Sequence, residues 1–235
     1  MSKPLAIDLY AGLGGWAEGL LAEGYDVIGF DIERHVYGEH RYPAQLVIQD
    51  VLTLHGSQLR AAALIVASPP CQAYSYRAMP WKRAKALPPP CNALFDACFR
   101  IQREACQAAG RHIPLIVESV NGAQPWVGRA RWHHGSFYLW GDVRALMPVV
   151  GTFKTRGMNW SDRERTGQDF TRIGGNQAIK NGGGGADGWF GRNNEHSLRQ
   201  HSSGSRKRKF ASALIAKIPE ALSRHIGRTF YPRES

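Results

Sequence analysis

Through the first 150 residues, short apolar runs alternate with longer stretches whose apolar positions recur every three or four residues. That alternation predicts an α/β domain built on a doubly wound, mostly parallel sheet. Leu5 to Tyr10 (LAIDLY) reads as the first strand, and Gly14 to Glu23 as a helix that buries Trp16, Leu20 and Leu21. Tyr25 to Phe30 reads as a second strand ending at Asp31, and Ala44 to Ile48 as a third closing at Asp50. Leu64 to Ala67 (LIVA) is a fourth, stopped by Pro69 and Pro70, which deny the backbone a helical continuation. Asn92 to Ala109 sets Leu94, Cys98, Ile101 and Ala105 on one stripe of a long amphipathic helix. Ile113 to Val117 is a fifth strand, with Glu118 at its end.

The pattern breaks after about residue 150. Residues 155–209 combine four consecutive glycines (Gly182 to Gly185) with Asn, Ser and Arg, hold few aliphatic side chains, and close on Arg206-Lys207-Arg208-Lys209. Such a composition buries little surface and predicts a loop-rich segment. Periodicity returns from Phe210 to Ile226, where Ala213, Leu214, Ile218, Leu222 and Ile226 suit a helical segment interrupted at Pro219. The chain thus divides into a domain over 1–154, a glycine-rich basic segment over 155–209, and a C-terminal helical segment over 210–235 that returns to the first.

Charge adds a partner to this outline. Thirty Lys and Arg against nineteen Asp and Glu leave a formal net charge of +11, which attracts polyanions, nucleic acid foremost. Hydrophobic residues at 43% and charged residues at 21% fit a globular chain. No apolar run approaches the roughly 18 residues of a membrane span, and MSKPLAIDLY lacks the apolar core of a signal peptide. The expected location is the cytoplasm. Cys71, Cys91, Cys98 and Cys106 form no CxxC pair and have no histidine at zinc spacing, so they read as reduced thiols, with no metal site. Trp126, Trp132 and Trp140 read as core.

Two places carry candidate chemistry. In Asp8-Leu9-Tyr10-Ala11-Gly12-Leu13-Gly14-Gly15-Trp16-Ala17, a strand, a glycine-rich turn and a helix start follow one another, and Asp31 ends the next strand. Glycines let backbone approach a ligand, and a strand-end carboxylate takes two ribose hydroxyls. A dinucleotide would set its pyrophosphate on the helix N-terminus. The acids Asp8, Glu18, Asp31 and Asp50 around this loop instead favour a nucleoside cofactor without phosphate, of which S-adenosylmethionine is one.

The second place is Ser68-Pro69-Pro70-Cys71-Gln72, directly after a buried strand. Ligands of a doubly wound sheet lie outside the carboxyl ends of the strands, so Cys71 faces that crevice, and its thiolate is a strong nucleophile. The other three cysteines, on or beside a helix, read as small hydrophobes. Glu118 ends the next apolar strand and reaches the same rim. There a desolvated glutamate can donate a hydrogen bond to a ring nitrogen. Arg129 and Arg131 (GRARW), one residue apart on a short strand, point to one face.

In family order, these segments resemble the motifs of the DNA (cytosine-5)-methyltransferases. Asp8 to Gly15 is similar to DLFAGxGG, Pro70-Cys71-Gln72 to PCQ, Leu94-Phe95 with Arg100-Ile101 to LFxxxxRI, Glu118-Ser119-Val120 to ENV, and Arg129-Ala130-Arg131 to RxR. The resemblance implies the Rossmann-like fold of S-adenosylmethionine-dependent methyltransferases and a double-stranded DNA substrate. It implies that Cys71 attacks C6 of a flipped-out cytosine, that Glu118 engages N3, and that Arg131 with Arg129 holds the O2 and phosphate side. It assigns S-adenosylmethionine to Asp8, Tyr10, Gly12, Gly14, Gly15, Trp16, Asp31, Ile32, Asp50, Val51 and Pro70. Nucleic acid falls to Gln72 and Ser75, with Arg206, Lys207, Arg208 and Lys209 on phosphates.

The sequence departs from the pattern at three points. Ser119 stands where the family carries Asn, the recognition region is short, and Ile215 to Leu222 keeps only the tail of GNAVPxxL, with Lys217 in place of a small residue. The compact size suits a phage or prophage enzyme. Methylation of cytosine in RNA and a catalytically silent DNA-binding relative are the alternatives. A nicotinamide oxidoreductase explains the glycine loop but not Cys71 with Glu118.

Overall fold

The computed structural model describes residues 2–75, 86–144 and 205–232. Seven strands form one sheet in the order β5-β2-β1-β6-β7-β9-β8. They are β1 (Leu5–Leu9), β2 (Asp26–Asp31), β5 (Gln45–Ile48), β6 (Leu64–Ala67), β7 (Leu115–Ser119), β8 (Trp132–His134) and β9 (Phe137–Gly141). The pairs β1–β2, β1–β6, β2–β5 and β6–β7 are parallel, and β9 runs antiparallel to both β7 and β8. A two-stranded hairpin, β3 (Val36–Tyr37) with β4 (His40–Arg41), leaves the end of β2. The described residues of 1–154 thus form the doubly wound, mostly parallel α/β sheet that the hydrophobic pattern predicts.

Each sheet face is apolar because parallel strands covered on both sides must be. Alternate residues of β6 divide between two cores: Ile65 and Ala67 join α2 (Ala93–Ala109), whereas Leu64 and Val66 join α1 (Gly15–Ala22). Phe95, Cys98, Ile101 and Ala105 supply the buried stripe of α2, and the helix stops at Gly110, which takes a left-handed conformation (φ 64°). On the other face, Ile218, Leu222, Ile226 and Phe230 pack beside Trp16, Ala17 and Leu20.

The C-terminal region is two helices, α4 (Arg206–Ala216) and α5 (Glu220–Phe230), parted at Pro219. It returns to the domain through α1. Ser223 Oγ donates to the Trp16 carbonyl at 2.5 Å, Lys217 Nζ pairs with Glu18 at 2.5 Å, and Arg224 and Arg228 both reach Glu23. Those two guanidinium groups hold the Glu23 carboxyl below its usual range. Lys217 therefore spends its charge on α1.

Several boundaries differ from expectation. β7 carries Glu118 and Ser119 within the strand, because β9 pairs with both (Glu118↔Leu139, Ser119↔Tyr138). Arg129 and Arg131 are exposed in the loop before β8, not on a strand. The tryptophans divide: Trp140 is core at 5% exposure, Trp132 is half-buried, and Trp126 is 39% exposed. Of the basic segment over 155–209, residues up to 204 lie outside the described residues. No helix among the described residues is long and apolar enough to cross a membrane.

Candidate active site

Five neighbouring parallel strands end on one rim of the sheet. In sheet order their carboxyl ends carry Asp50 after β5, Asp31 at the end of β2, the Gly12–Gly15 loop after β1, Cys71 after β6, and Glu118 near the end of β7. From β1 the chain moves outward to β2, while β6 lies on the opposite side of β1. That reversal opens a crevice between β1 and β6, where ligands of doubly wound sheets bind.

The loop after β1 is built from left-handed backbone. Tyr10 (φ 61°), Gly12 (φ 52°) and Gly14 (φ 79°) all take positive φ, which glycine adopts freely and tyrosine does not. Tyr10 is held there by its hydroxyl, which donates to the Leu94 carbonyl at 2.7 Å. Gly12 N–H donates to Asp31 Oδ2 at 2.8 Å, and Glu33 N–H to Oδ1 at 3.2 Å. His35 Nε2 lies 3.6 Å from Oδ1. Burial pushes the Asp31 carboxyl up, but His35 and the two N–H donors outweigh it, so the net shift is downward and Asp31 stays ionised. Asp50 is half-buried and caps the following turn by accepting from Leu52 N–H at 2.9 Å.

At the other end of the crevice, Cys71 is half-buried in a turn that continues as a 3-10 helix over Gln72–Tyr74. Tyr74 N–H donates to the Cys71 carbonyl at 3.0 Å, as does Ser75 Oγ at 3.1 Å, and that hydroxyl lies 3.8 Å from Cys71 Sγ. Pro69 is buried, whereas Pro70 and Gln72 are exposed. Glu118 is buried at 9% exposure. Cys98, fully buried, has its thiol pushed up by burial, and it packs as a hydrophobe.

Some expected ligand contacts fall elsewhere. Trp16 is 2% exposed and its indole N–H goes to Ser68 Oγ at 2.9 Å, so it supports the loop from beneath. Val51, 3% exposed, is core. Asp8 is fully buried and its carboxyl is pushed well up by that burial; it accepts from Tyr42 hydroxyl at 3.1 Å. A Cβ on Gly15 would lie 2.4 Å from Ile218 N, so this glycine admits the C-terminal segment. Ile32, at 69% exposure, stands open beside Asp31.

The basic run opens α4 against the β3–β4 hairpin. Arg206 reaches the Val36 carbonyl at 3.3 Å, and Phe210 packs on Tyr37 and His40 at 5.2 and 5.0 Å. It therefore sits off the Asp31 end of the rim, and Lys209 is exposed there; the side chains of Lys207 and Arg208 lie outside the described residues. Sequence reasoning missed His35, Tyr42, Tyr74 and Asn92. Of these, only His35 carried a signal: it stands four residues past a strand-end aspartate. Among the described residues, no group of three His, Cys, Asp or Glu could hold a metal ion.

Residues 5–101 match the C-5 cytosine-specific DNA methylase family. The resemblance seen in the motifs is thereby borne out over that stretch, which includes the glycine loop and Cys71 and stops short of Glu118. No curated protein matches the chain. Among solved structures, it is similar to a prophage-encoded E. coli protein described as a DNA modification methyltransferase, at 23% identity and TM-score 0.38, covering 54% of this chain and 35% of that one. It is also similar to the Dnmt2 methyltransferase of S. pombe (16% identity, TM-score 0.36, 52% and 36% covered). The Entamoeba histolytica methyltransferase EhMeth is a third (16%, 0.39, 55% and 41%). The chain spans little more than a third of the length of the first two.

Proposed function

We propose that this chain transfers a methyl group from S-adenosylmethionine to C5 of cytosine in DNA, through a thioether between Cys71 and C6 of a base turned out of the duplex. One observation carries the reading. Asp50, Asp31, the glycine loop, Cys71 and Glu118 follow one another along a single rim, in the order a bound nucleoside and a neighbouring base require. The family match over residues 5–101 supports it.

The rim fits the cofactor. An ionised Asp31 and a second acid, Asp50, suit hydroxyl and amino donors, and Gly12 leaves room for close backbone approach, whereas the space at Gly14 is filled by Pro43 and Tyr42. Bound there, S-adenosylmethionine supplies an electrophilic methyl group. The Cys71 thiolate bonds to C6, and the electron pair of the C5–C6 bond moves into the ring, where Glu118 steadies it by a hydrogen bond at N3. The enriched C5 would then take the methyl group, the sulfonium S–CH3 bond breaking with its electron pair left on sulfur and S-adenosylhomocysteine leaving. Loss of the C5 proton to solvent then returns an electron pair, breaks the C6–S bond and frees the thiolate. Arg129 and Arg131, both exposed, are free to meet the base O2 and its phosphate.

Duplex DNA carrying 5-fluorocytosine, incubated with S-adenosylmethionine, tests this directly. Fluorine blocks the final elimination, so the wild-type chain should be trapped in a denaturation-resistant complex that Cys71→Ser does not form. A trapped complex on RNA and not on DNA would replace the polymer and keep the chemistry. No complex on either would leave a silent DNA-binding relative.

A further inference from the structure

We propose that Asn92 is a positioning residue that locks the loop carrying Cys71 against the loop that follows Glu118. The inference rests on the methyl-transfer reading for its meaning, but its geometry stands apart from it. Asn92 is the residue before α2, a place where an asparagine side chain commonly caps the helix. Here it makes no capping hydrogen bond. Both ends of its amide point elsewhere. Oδ1 accepts from the Tyr74 hydroxyl at 2.9 Å, 18 residues away, and Nδ2 donates to the Trp126 carbonyl at 3.0 Å, 34 residues away.

The amide has one consistent orientation. A backbone carbonyl only accepts, so the NH2 group must face Trp126, leaving the oxygen for the hydroxyl of Tyr74. Tyr74 is buried at 3% exposure and its N–H is bonded to the Cys71 carbonyl, so whatever fixes Tyr74 fixes the turn at Cys71. Trp126 lies on α3 (Gln124–Val127), which has no fully buried residue; the Trp140 indole holds its C-terminal end through the Gly128 carbonyl at 2.9 Å. A third contact joins the same two loops. A Cβ on Gly122 would lie 2.1 Å from the Tyr74 carbonyl oxygen, so the backbones meet there.

Asn92 thus bridges the turn that carries the nucleophile and the segment just beyond the strand that carries the acid. Misplacement of reacting groups by about 1 Å costs on the order of 100-fold in rate. Asn92→Asp keeps the shape and the Tyr74 contact while turning a carboxylate oxygen toward the Trp126 carbonyl, which opens one side only. Tyr74→Phe removes the other side.

The test uses the full chain and three readings: the rate of trapping on 5-fluorocytosine DNA, the affinity for S-adenosylmethionine, and the rate of Cys71 alkylation by iodoacetamide, followed by peptide mass. Asn92→Asp is expected to slow trapping by about 10- to 100-fold, leave cofactor affinity within about twofold, and speed Cys71 alkylation severalfold. Tyr74→Phe should move all three in the same direction by less, and the double variant should add little to Asn92→Asp. Wild-type trapping and alkylation rates in Asn92→Asp would overturn the proposal, as would a loss of cofactor affinity in step with trapping. Asn92→Ser replaces Asn92→Asp if the latter does not fold. Should the wild-type chain itself not be trapped, the methyl-transfer reading fails, and the alkylation rates alone decide the clamp.

Discussion

The indole N–H of Trp16 is donated to the hydroxyl of Ser68 across 2.9 Å. This bond ties the first turn of α1 to the residue that leads into Cys71, across the crevice between β1 and β6. Trp16 also offers its carbonyl to Ser223, so one residue joins the glycine loop, the cysteine loop and the C-terminal helix. Trp16→Phe removes the donor and part of a fully buried ring. It is expected to cost about 2–3 kcal/mol, combining a lost hydrogen bond with a cavity. Ser68→Ala leaves an indole N–H unpaired in the core and should cost about 1–3 kcal/mol. Urea unfolding of both single variants and the double one should give a coupling near 1 kcal/mol; additive losses would show the bond to be idle.

Gly15 makes a second, steric prediction about the same junction. Its backbone needs no left-handed conformation, so alanine fits its dihedrals, yet the added Cβ would meet Ile218 N at 2.4 Å and Ile218 O at 2.9 Å. Backbone atoms cannot swing aside as a side-chain tip can. Gly15→Ala is expected to destabilise by about 1–3 kcal/mol, as overpacking does. Limited proteolysis should show cleavage within residues 205–232 before cleavage within the sheet. A variant as stable and as resistant as the wild type would mean that the C-terminal helices do not rest on α1.

The sheet was legible because its strands are nearly unbroken aliphatic runs: the span read for β6 coincides with the strand observed. Legibility failed where pairing depends on a distant partner. Glu118 and Ser119 look like the end of an apolar run, but β9 extends the strand through both. The β3–β4 hairpin has two residues a side, too short for a period to show. GRARW alternates like a strand, yet the strand starts at Trp132. The strand-end residues of the site, Asp31, Asp50, Cys71 and Glu118, stood out because topology alone brings them to one rim. Their supports did not: Asn92, Tyr74 and Trp126 are far apart in sequence, and no residue type announces a side chain that abandons its helix cap.

Ser119 departs from the family pattern and leaves a mark in the structure. It is 1% exposed, and its hydroxyl is a buried polar atom without a hydrogen-bond partner among the described residues. An unpaired buried hydroxyl costs about 1–3 kcal/mol, more than a methyl group of similar size in the same place. Ser119→Ala is therefore expected to stabilise the fold by about 1 kcal/mol, read as a raised midpoint in urea with an unchanged slope. A loss of stability would show that the hydroxyl finds a partner in solution.

His35 makes the site sensitive to pH. Its imidazole faces Asp31 at 3.6 Å and Glu33 at 3.7 Å, with the Lys209 charge acting against them. The hydrogen bond to Asp31 raises the His35 pKa above its ordinary value of about 6.5. A group raised on folding contributes stability below its unfolded pKa and loses it as pH rises through the folded one. Asp31, lowered on folding, contributes above about 3.9 and loses its share as pH falls through its depressed value. The pair therefore stabilises most between about pH 4 and 6.5. In an NMR titration His35 should change charge above 6.5, and Asp31→Asn should bring that midpoint down. His35→Ala should destabilise more at pH 5.5 than at pH 8.5. An equal loss at both would separate the imidazole from Asp31 and leave the aspartate to its backbone donors alone.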